Sequence, residues 1–204
     1  MVKNDLQVSE SAIRALSLCI RKAYLLIFSP GLSSPNAYEY MQVTLSSVTR
    51  QNYFHSILNQ SVVESFSTLA ISKGVDILTS VNLSVDFLSV RNTTLIKVPN
   101  KLPLDVLRYE PIIFSSKNKI QQEDKIELSF IGYTLSKFLN YLPATGHVVL
   151  VDGRNITVKL SENIKKCLPS INLLQGWLTQ KSNLPPVVLN KHCPYCEFQN
   201  ICKV

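Results

Sequence analysis

Two periodicities divide the chain. Up to about residue 74 the apolar positions recur at three and four residues, the spacing that lines one face of a helix. Ser9 or Ser11 caps a first predicted helix whose buried face carries Ile13, Leu16, Ile20, Ala23 and Ile27, and Pro30 and Gly31 end it. A second helix follows the turn at 33–36 and runs to about residue 58, with Met41, Leu45, Val48 and Ile57 as core contacts. A third, from 62 to 72, stops at Gly74, which suits a left-handed cap.

From Val75 the pattern shortens to β-branched runs. Residues 75–83, 85–90, 94–98 and 107–115 read as strands, and Pro111 inside the last predicts an edge or a bulge, because proline cannot donate to a ladder. A long helix is predicted from about 121 to 142, with Ile126, Phe130, Tyr133, Leu135 and Phe138 facing inward. Residues 147–151 and 156–160 form a hairpin around Asp152-Gly153. The last helix, 161 to 181, is reset near Pro169 and anchored by Trp177. Strands between flanking helices predict an α/β protein with a mixed sheet. At 204 residues and 46% hydrophobic, the chain is expected to build one domain: a helical part over 1–74, a sheet-containing core over 75–160, and a helix with a cysteine knuckle over 161–204.

Charge adds a partner class. With 21 Lys and Arg against 14 Asp and Glu the net charge is +7, which favours an anionic partner such as DNA. Arg21 and Lys22 are placed on the solvent side of the first helix, as candidates for phosphate contact. No apolar run is long enough to span a membrane, and the N-terminal residues show no secretory pattern. A cytoplasmic protein with reduced thiols is expected.

The densest chemistry is at the end of the chain, where Cys193, Cys196 and Cys202 fall within ten residues. A C-x2-C turn brings two thiolates onto one metal, and the third closes the same face from the next turn of chain. Cys19 is the candidate fourth ligand, so that the metal staples the two ends together, and Cys167 is left outside the set. From spacing alone zinc fits equally, with either Cys19 or His192 completing a tetrahedral site.

An early cysteine followed by Arg21, Lys22 and an aromatic, together with a terminal Cys-Pro-x-Cys-x5-Cys, resembles the RecB-like nucleases that carry a [4Fe-4S] cluster. These include the CRISPR-associated exonucleases of spacer acquisition and the AddB nuclease domain. The segment from Pro185 to Phe198 is especially similar to one RecB-like bacterial branch. The resemblance implies a PD-(D/E)XK (restriction-endonuclease-like) fold, a [4Fe-4S] cluster on Cys19, Cys193, Cys196 and Cys202, and action on DNA, alone or beside a helicase or other DNA-processing protein. It also implies a site in which carboxylates hold Mg²⁺ or Mn²⁺ and a lysine readies the attacking water.

Asp86 fits the first carboxylate of that site, and His55 stands where the family often adds a histidine. The motif strand is degraded. Tyr109 and Pro111 match, but Ile113 stands at the acid and Ser115 at the lysine, leaving Glu110 and Lys117 nearby at the wrong spacing. On the following helix Tyr133 is kept, while Ser129 replaces the family's Gln. The resemblance therefore leads to two expectations, a DNase with a weakened or lost active site and a non-catalytic DNA-binding or partner-docking module. A zinc-knuckle structural protein is the third.

Overall fold

The computed structural model describes residues 6–57, 59–98, 108–180 and 183–202. Its centre is a mixed seven-stranded open sheet flanked by helices, an α/β architecture. The start of the predicted strand at 107 and the predicted end of the last helix at 181 lie outside the described residues.

A short strand β1 (Val8–Ser9) leads into α1 (Glu10–Leu16), where the Ser9 hydroxyl accepts from the Ala12 amide at 3.2 Å as an N-cap. The single first helix expected from the sequence is two helices. After α1 the Leu18 and Cys19 amides fold back onto Ala15 O, Cys19 takes extended dihedrals, and α2 (Ile20–Phe28) restarts behind it. The break has a cause in the tertiary structure. Leu18 O, which a continuous helix would use internally, accepts instead from Asn190 Nδ2 at 3.1 Å, so the C-terminal segment occupies the freed carbonyl.

The next helix, α3 (Ala37–Ile57), buries only Thr49 among its described side chains. Met41 and Val48, expected in the core, are exposed, because α3 meets the sheet through a narrow line at Thr49, whose hydroxyl donates to Leu45 O and Ser115 O. The stretch expected as a third helix divides at Ser67. Before it, β2 (Val63–Ser65) pairs parallel with the sheet, and after it α4 (Thr68–Ser72) is capped by the Ser67 hydroxyl. Gly74 closes α4 at φ 68°, the left-handed conformation expected there.

The long hairpin β3 (Ile77–Val85) and β4 (Leu88–Lys97) absorbs the three strands read between 75 and 98. β5 (Tyr109–Phe114) lies between β4 and β6 (Thr145–Val149), antiparallel to the first and parallel to the second. Pro111 is therefore inside the sheet, not at its edge. Pairing with β6 begins one residue later, at Ile112, so the missing N–H falls just before that ladder. Between these strands α5 (Gln122–Leu139) crosses over the sheet and ends at Asn140, left-handed at φ 57° and short of the predicted 142.

β7 (Asn155–Lys159) completes the hairpin with β6 as expected, with Gly153 in the turn at φ 82°. α6 (Leu160–Thr179) then runs unbroken through Pro169. Pro169 lies on the exposed side, where the carbonyl it deprives of a partner opens to water. Trp177 packs edge-on against Tyr24 of α2 at 5.6 Å. Fully buried Ile13, Leu78, Leu95, Leu128, Phe130 and Tyr109 join α1, the sheet and α5 in one core, each contributing roughly 1.5–3 kcal/mol. Close α5–α6 packing depends on Gly132, where a Cβ would meet Leu160 Cδ1 at 2.7 Å.

Candidate functional site

The C-terminal segment enters the site without regular secondary structure and turns at Cys193–Tyr195, a single 3-10 turn with Pro194 pre-set for its first positions. α7 (Gln199–Cys202) follows and carries Cys202. Phe198, 1% exposed, anchors the turn in the protein, and Ser34 N donates to Glu197 O at 2.9 Å. Tyr195 lies against Tyr38 at 4.7 Å between ring centres. These contacts dock the end of the chain on α3 and on the segment leading into it.

Cys19, Cys193, Cys196 and Cys202 line one cavity with Arg21, Val187, Val188, His192 and Gln199. The cavity volume is about 20 Å³. Because Cys19 precedes α2 in an extended conformation, its side chain is held outside the helix, at the cavity wall. Asn190 N donates to Cys193 Sγ at 3.3 Å. Burial pushes the Cys196 thiol up, opposed by the Phe198 amide and by Lys22 and reinforced by Glu197 and Cys19. Among the described residues no three His, Cys, Asp or Glu side chains are gathered as ligands of a single metal ion. The donor set is four thiols with apolar neighbours and amide donors to sulfur. In kind it suits soft, thiolate-bound metals, whose binding releases the thiol protons.

Cys167 is elsewhere. It is buried on α6, with Sγ 3.9 Å from Ile126 O, and desolvation pushes its thiol up to about 12.

The two basic residues assigned to phosphate contact are corrected by their surroundings. Lys22 does not face solvent. It is buried beside the cysteine cavity, with Nζ 3.2 Å from Glu39 and 3.0 Å from Glu197. Burial lowers the Lys22 pKa, and the two carboxylates more than compensate, so it remains charged. Burial and the nearby Glu197 push Glu39 up to about 7 against the pull of Lys22. Arg21 donates from Nη1 to Pro185 O at 2.5 Å and so braces the segment entering the knuckle. His192 Nε2 lies 3.4 Å from Lys22 Nζ, and burial and that cation lower its pKa, which favours neutral imidazole.

The chain matches no protein-family model and no curated protein.

The residues proposed for a nuclease centre do not converge. Asp86 is exposed at φ 53° in the two-residue turn between β3 and β4, not at a strand end facing a metal. The turn itself requires a left-handed residue there, a role that Asp tolerates. His55 is exposed near the end of α3. Glu110 is buried on β5 and its carboxylate accepts from Thr145 N at 3.1 Å, Thr145 Oγ1 at 2.7 Å and His147 Nε2 at 3.1 Å. Burial raises its pKa, but those bonds outweigh it and hold the group below the usual glutamate range. Lys117 donates to Tyr38 Oη at 2.9 Å and lies over that ring, which draws it toward α3.

Where the resemblance expects an acid and a lysine, the residues present have structural work. Ile113 is buried in the core, and the Ser115 hydroxyl donates to buried Asp124 at 3.4 Å while accepting from Lys117 N at 3.2 Å. Asp124 also accepts from Gln121 N at 2.9 Å in a capping box and pairs with Arg14 at 3.2 Å. Arg14 further bonds Glu127. This buried network was not read from the sequence, although the acid three residues after Gln121 was a visible signal.

Beside it β4 and β5 part beyond Thr94 and Ile112, and a cleft of about 340 Å³ opens between them, α1 and α3. Its polar lining includes Glu10, Arg14, Arg50, Arg91 and Thr93.

Proposed function

We propose that the protein is a non-catalytic DNA-binding module of the RecB-like, PD-(D/E)XK nuclease type, with its chain ends joined by a [4Fe-4S] cluster. One juxtaposition carries the reading: Cys19, from the start of the chain, lines the same cavity as Cys193, Cys196 and Cys202 from its end. Four thiols lining one cavity without a carboxylate favour a thiolate-bound centre, and the resemblance of the cysteine pattern to the cluster-bearing RecB-like nucleases is what favours a cluster over zinc. The cluster supplies a cross-link between segments that share no other covalent tie. The mixed sheet with flanking helices is compatible with the nuclease-type fold.

The separation of Asp86, His55, Glu110 and Lys117 supports loss of catalysis. Glu110 is committed to three hydrogen bonds and Lys117 to Tyr38. Glu110 is therefore not free for a hard cation, which needs oxygen ligands gathered at about 2.0–2.1 Å for Mg²⁺, and Lys117 is not free to ready an attacking water.

DNA binding follows from the net charge of +7 and is expected to act through phosphates, so affinity for a blunt duplex should fall steeply between 50 and 200 mM salt. Anaerobically purified protein should be brown, with iron and sulfide near four each per chain. Stoichiometric zinc without iron overturns the cluster, and binding that ignores salt overturns the phosphate-based reading. Mg²⁺-dependent cleavage of single- or double-stranded DNA overturns the loss of catalysis.

Exposed Tyr40, Met41 and Val43 along one end of α3 favour a second reading, docking of a DNA-processing partner protein. It predicts that Met41→Ser weakens partner capture while leaving DNA affinity unchanged.

A further inference from the structure

The cleft between the parted strands has features that neither the cysteine centre nor the core explains. On its side away from β3, β4 is paired with β1 at Leu88 and Ser89 and with β5 from Thr94 to Lys97. The residues between have no strand partner on that side. There the Arg91 amide donates to Glu10 Oε1 at 3.4 Å, and Asn92 is left-handed at φ 51°, a local bulge of the kind that re-aims neighbouring side chains. Such backbone conformations in non-glycine residues are enriched at binding sites.

The polar groups around the gap are unequally satisfied. Arg14 is held by Asp124 and Glu127. Arg50 and Arg91 form no ion pair among the described residues. The nearest polar contact of Arg50 is Asn92 Oδ1, at 3.5 Å, and its guanidinium lies over Phe54 at 5.5 Å. Thr93 is 7% exposed, yet its Oγ1 has no hydrogen-bond partner, and Glu10 Oε2 is buried without one. A buried hydroxyl and a buried carboxylate oxygen without a protein partner leave one donor and one acceptor open to a molecule in the cleft.

We propose that this cleft is a metal-independent site for a phosphomonoester, gripped by Arg50 and Arg91, with Thr93 Oγ1 donating to a phosphate oxygen and Glu10 Oε2 accepting the phosphate's own proton. Guanidinium forks match phosphate oxygens in geometry and charge. A fully ionised dianion would be repelled by Glu10. A phosphomonoester, whose second proton titrates near pH 6, enters as a monoanion with a P–OH donor. Sulfate carries no such proton at neutral pH. A metal is not needed to offset the charge, and Glu127, the other carboxylate of the lining, is already bound to Arg14. The volume of about 340 Å³ is within the range of small-ligand pockets. The phosphate belongs either to a free nucleotide or to a strand end. Only the second source rests on the reading of the protein as DNA-binding.

The test is calorimetric titration of the metal-loaded protein in magnesium-free buffer and again with added Mg²⁺. The probes are thymidine 5′-monophosphate, pentathymidylate with a 5′-phosphate, the same pentamer with a 5′-hydroxyl, and inorganic sulfate as competitor. Binding without Mg²⁺, a preference of about ten-fold or more for the phosphorylated pentamer over the hydroxyl form, and weak competition by sulfate are expected. Arg50→Gln and Arg91→Gln should each weaken phosphate binding about ten-fold or more, the scale of one charge-assisted bond, while Lys166→Gln on the exposed face of α6 leaves it unchanged. Glu10→Gln should erase the preference for phosphate over sulfate.

A pentamer bound much more tightly than the mononucleotide assigns a strand end, and equal affinities assign a free nucleotide. The wild-type comparison of 5′-phosphate with 5′-hydroxyl decides the proposal even where a variant unfolds. Equal binding of the two pentamers, a requirement for Mg²⁺, or no binding overturns it. Salt-dependent duplex binding without phosphate preference removes this site and spares the DNA-binding reading, and mononucleotide binding without duplex binding does the reverse.

Discussion

Four cysteines from the two extremes of the chain meet around one cavity, while four candidate catalytic residues from its middle go to four separate surroundings. Cys193, Cys196 and Cys202 share one short turn-and-helix unit, anchored by Phe198 and docked at the interruption between α1 and α2. A carboxylate–lysine site depends instead on the register of two strands, and here Ile113 and Ser115 fill that register with core packing and a cap for α5. A local knuckle can be read from the spacing of a single turn. A strand-borne site depends on two faces being in register, which the spacing of one strand does not fix.

The strongest test of this contrast is removal of a cysteine from each environment. Cys196→Ser should strip the metal and, if the centre closes nearly the whole chain into a loop, cost about 5 kcal/mol of stability. Cys167→Ala should keep full metal content, since its thiol is buried on α6 and faces no other cysteine cavity residue. Iron and sulfide analysis with denaturant unfolding checks both, and metal loss in Cys167→Ala would break the comparison.

Next in size is Lys22, the buried cation beside the cysteines. Lys22→Met leaves Glu39 and Glu197 facing each other without a counter-charge, and breaking a buried ion pair in this way costs roughly 3–5 kcal/mol. Chemical denaturation at pH 7 measures the loss. Were Lys22 a phosphate-contacting residue, DNA affinity would fall with stability unchanged, which is the opposite result.

Glu110 sharpens the other half of the contrast, because it behaves as a structural carboxylate. Its folded pKa is depressed, so its contribution is fully present above the ordinary glutamate value of about 4.3 and is lost as pH falls through the folded pKa. Glu110→Gln should cost roughly 1.5–3 kcal/mol at pH 7, the scale of hydrogen bonds to a charged group. The gap between variant and wild type should narrow at pH 3. Urea unfolding at both pH values checks the sign, and a gap that widens in acid contradicts the assignment.

What the sequence made legible follows the same division. The Asp152-Gly153 hairpin and the Gly74 cap are local, and the structure has each where the residues place it. The continuous first helix was misread, and of the edge or bulge expected at Pro111 the edge is excluded, because tertiary partners decided both: Asn190 takes the Leu18 carbonyl, and β6 pairs only from Ile112 onward. The cleft was invisible for a related reason. Arg14, Arg50 and Arg91 come from three elements, and the one local hint was the polar pair Arg91-Asn92 interrupting an apolar strand.

The smallest effect is expected at Asp86, the residue to which the sequence assigned the largest chemical role. It is exposed, left-handed at φ 53°, and lies in the β3–β4 turn, so its side chain is not needed by the core. Asp86→Gly removes the Cβ that disfavours this conformation at the expense of a more flexible unfolded chain. These effects oppose each other, and a stability change within about 0.5 kcal/mol is expected. Asp86→Asn keeps the turn and removes the charge. Both variants should bind DNA as the wild type does, with Mg²⁺ present or absent, because no other carboxylate joins Asp86 in a group of three metal-ligating side chains among the described residues. A metal-dependent cleavage present in the wild type and abolished by Asp86→Asn would reverse the comparison, by requiring the hairpin turn to approach a second carboxylate on binding DNA.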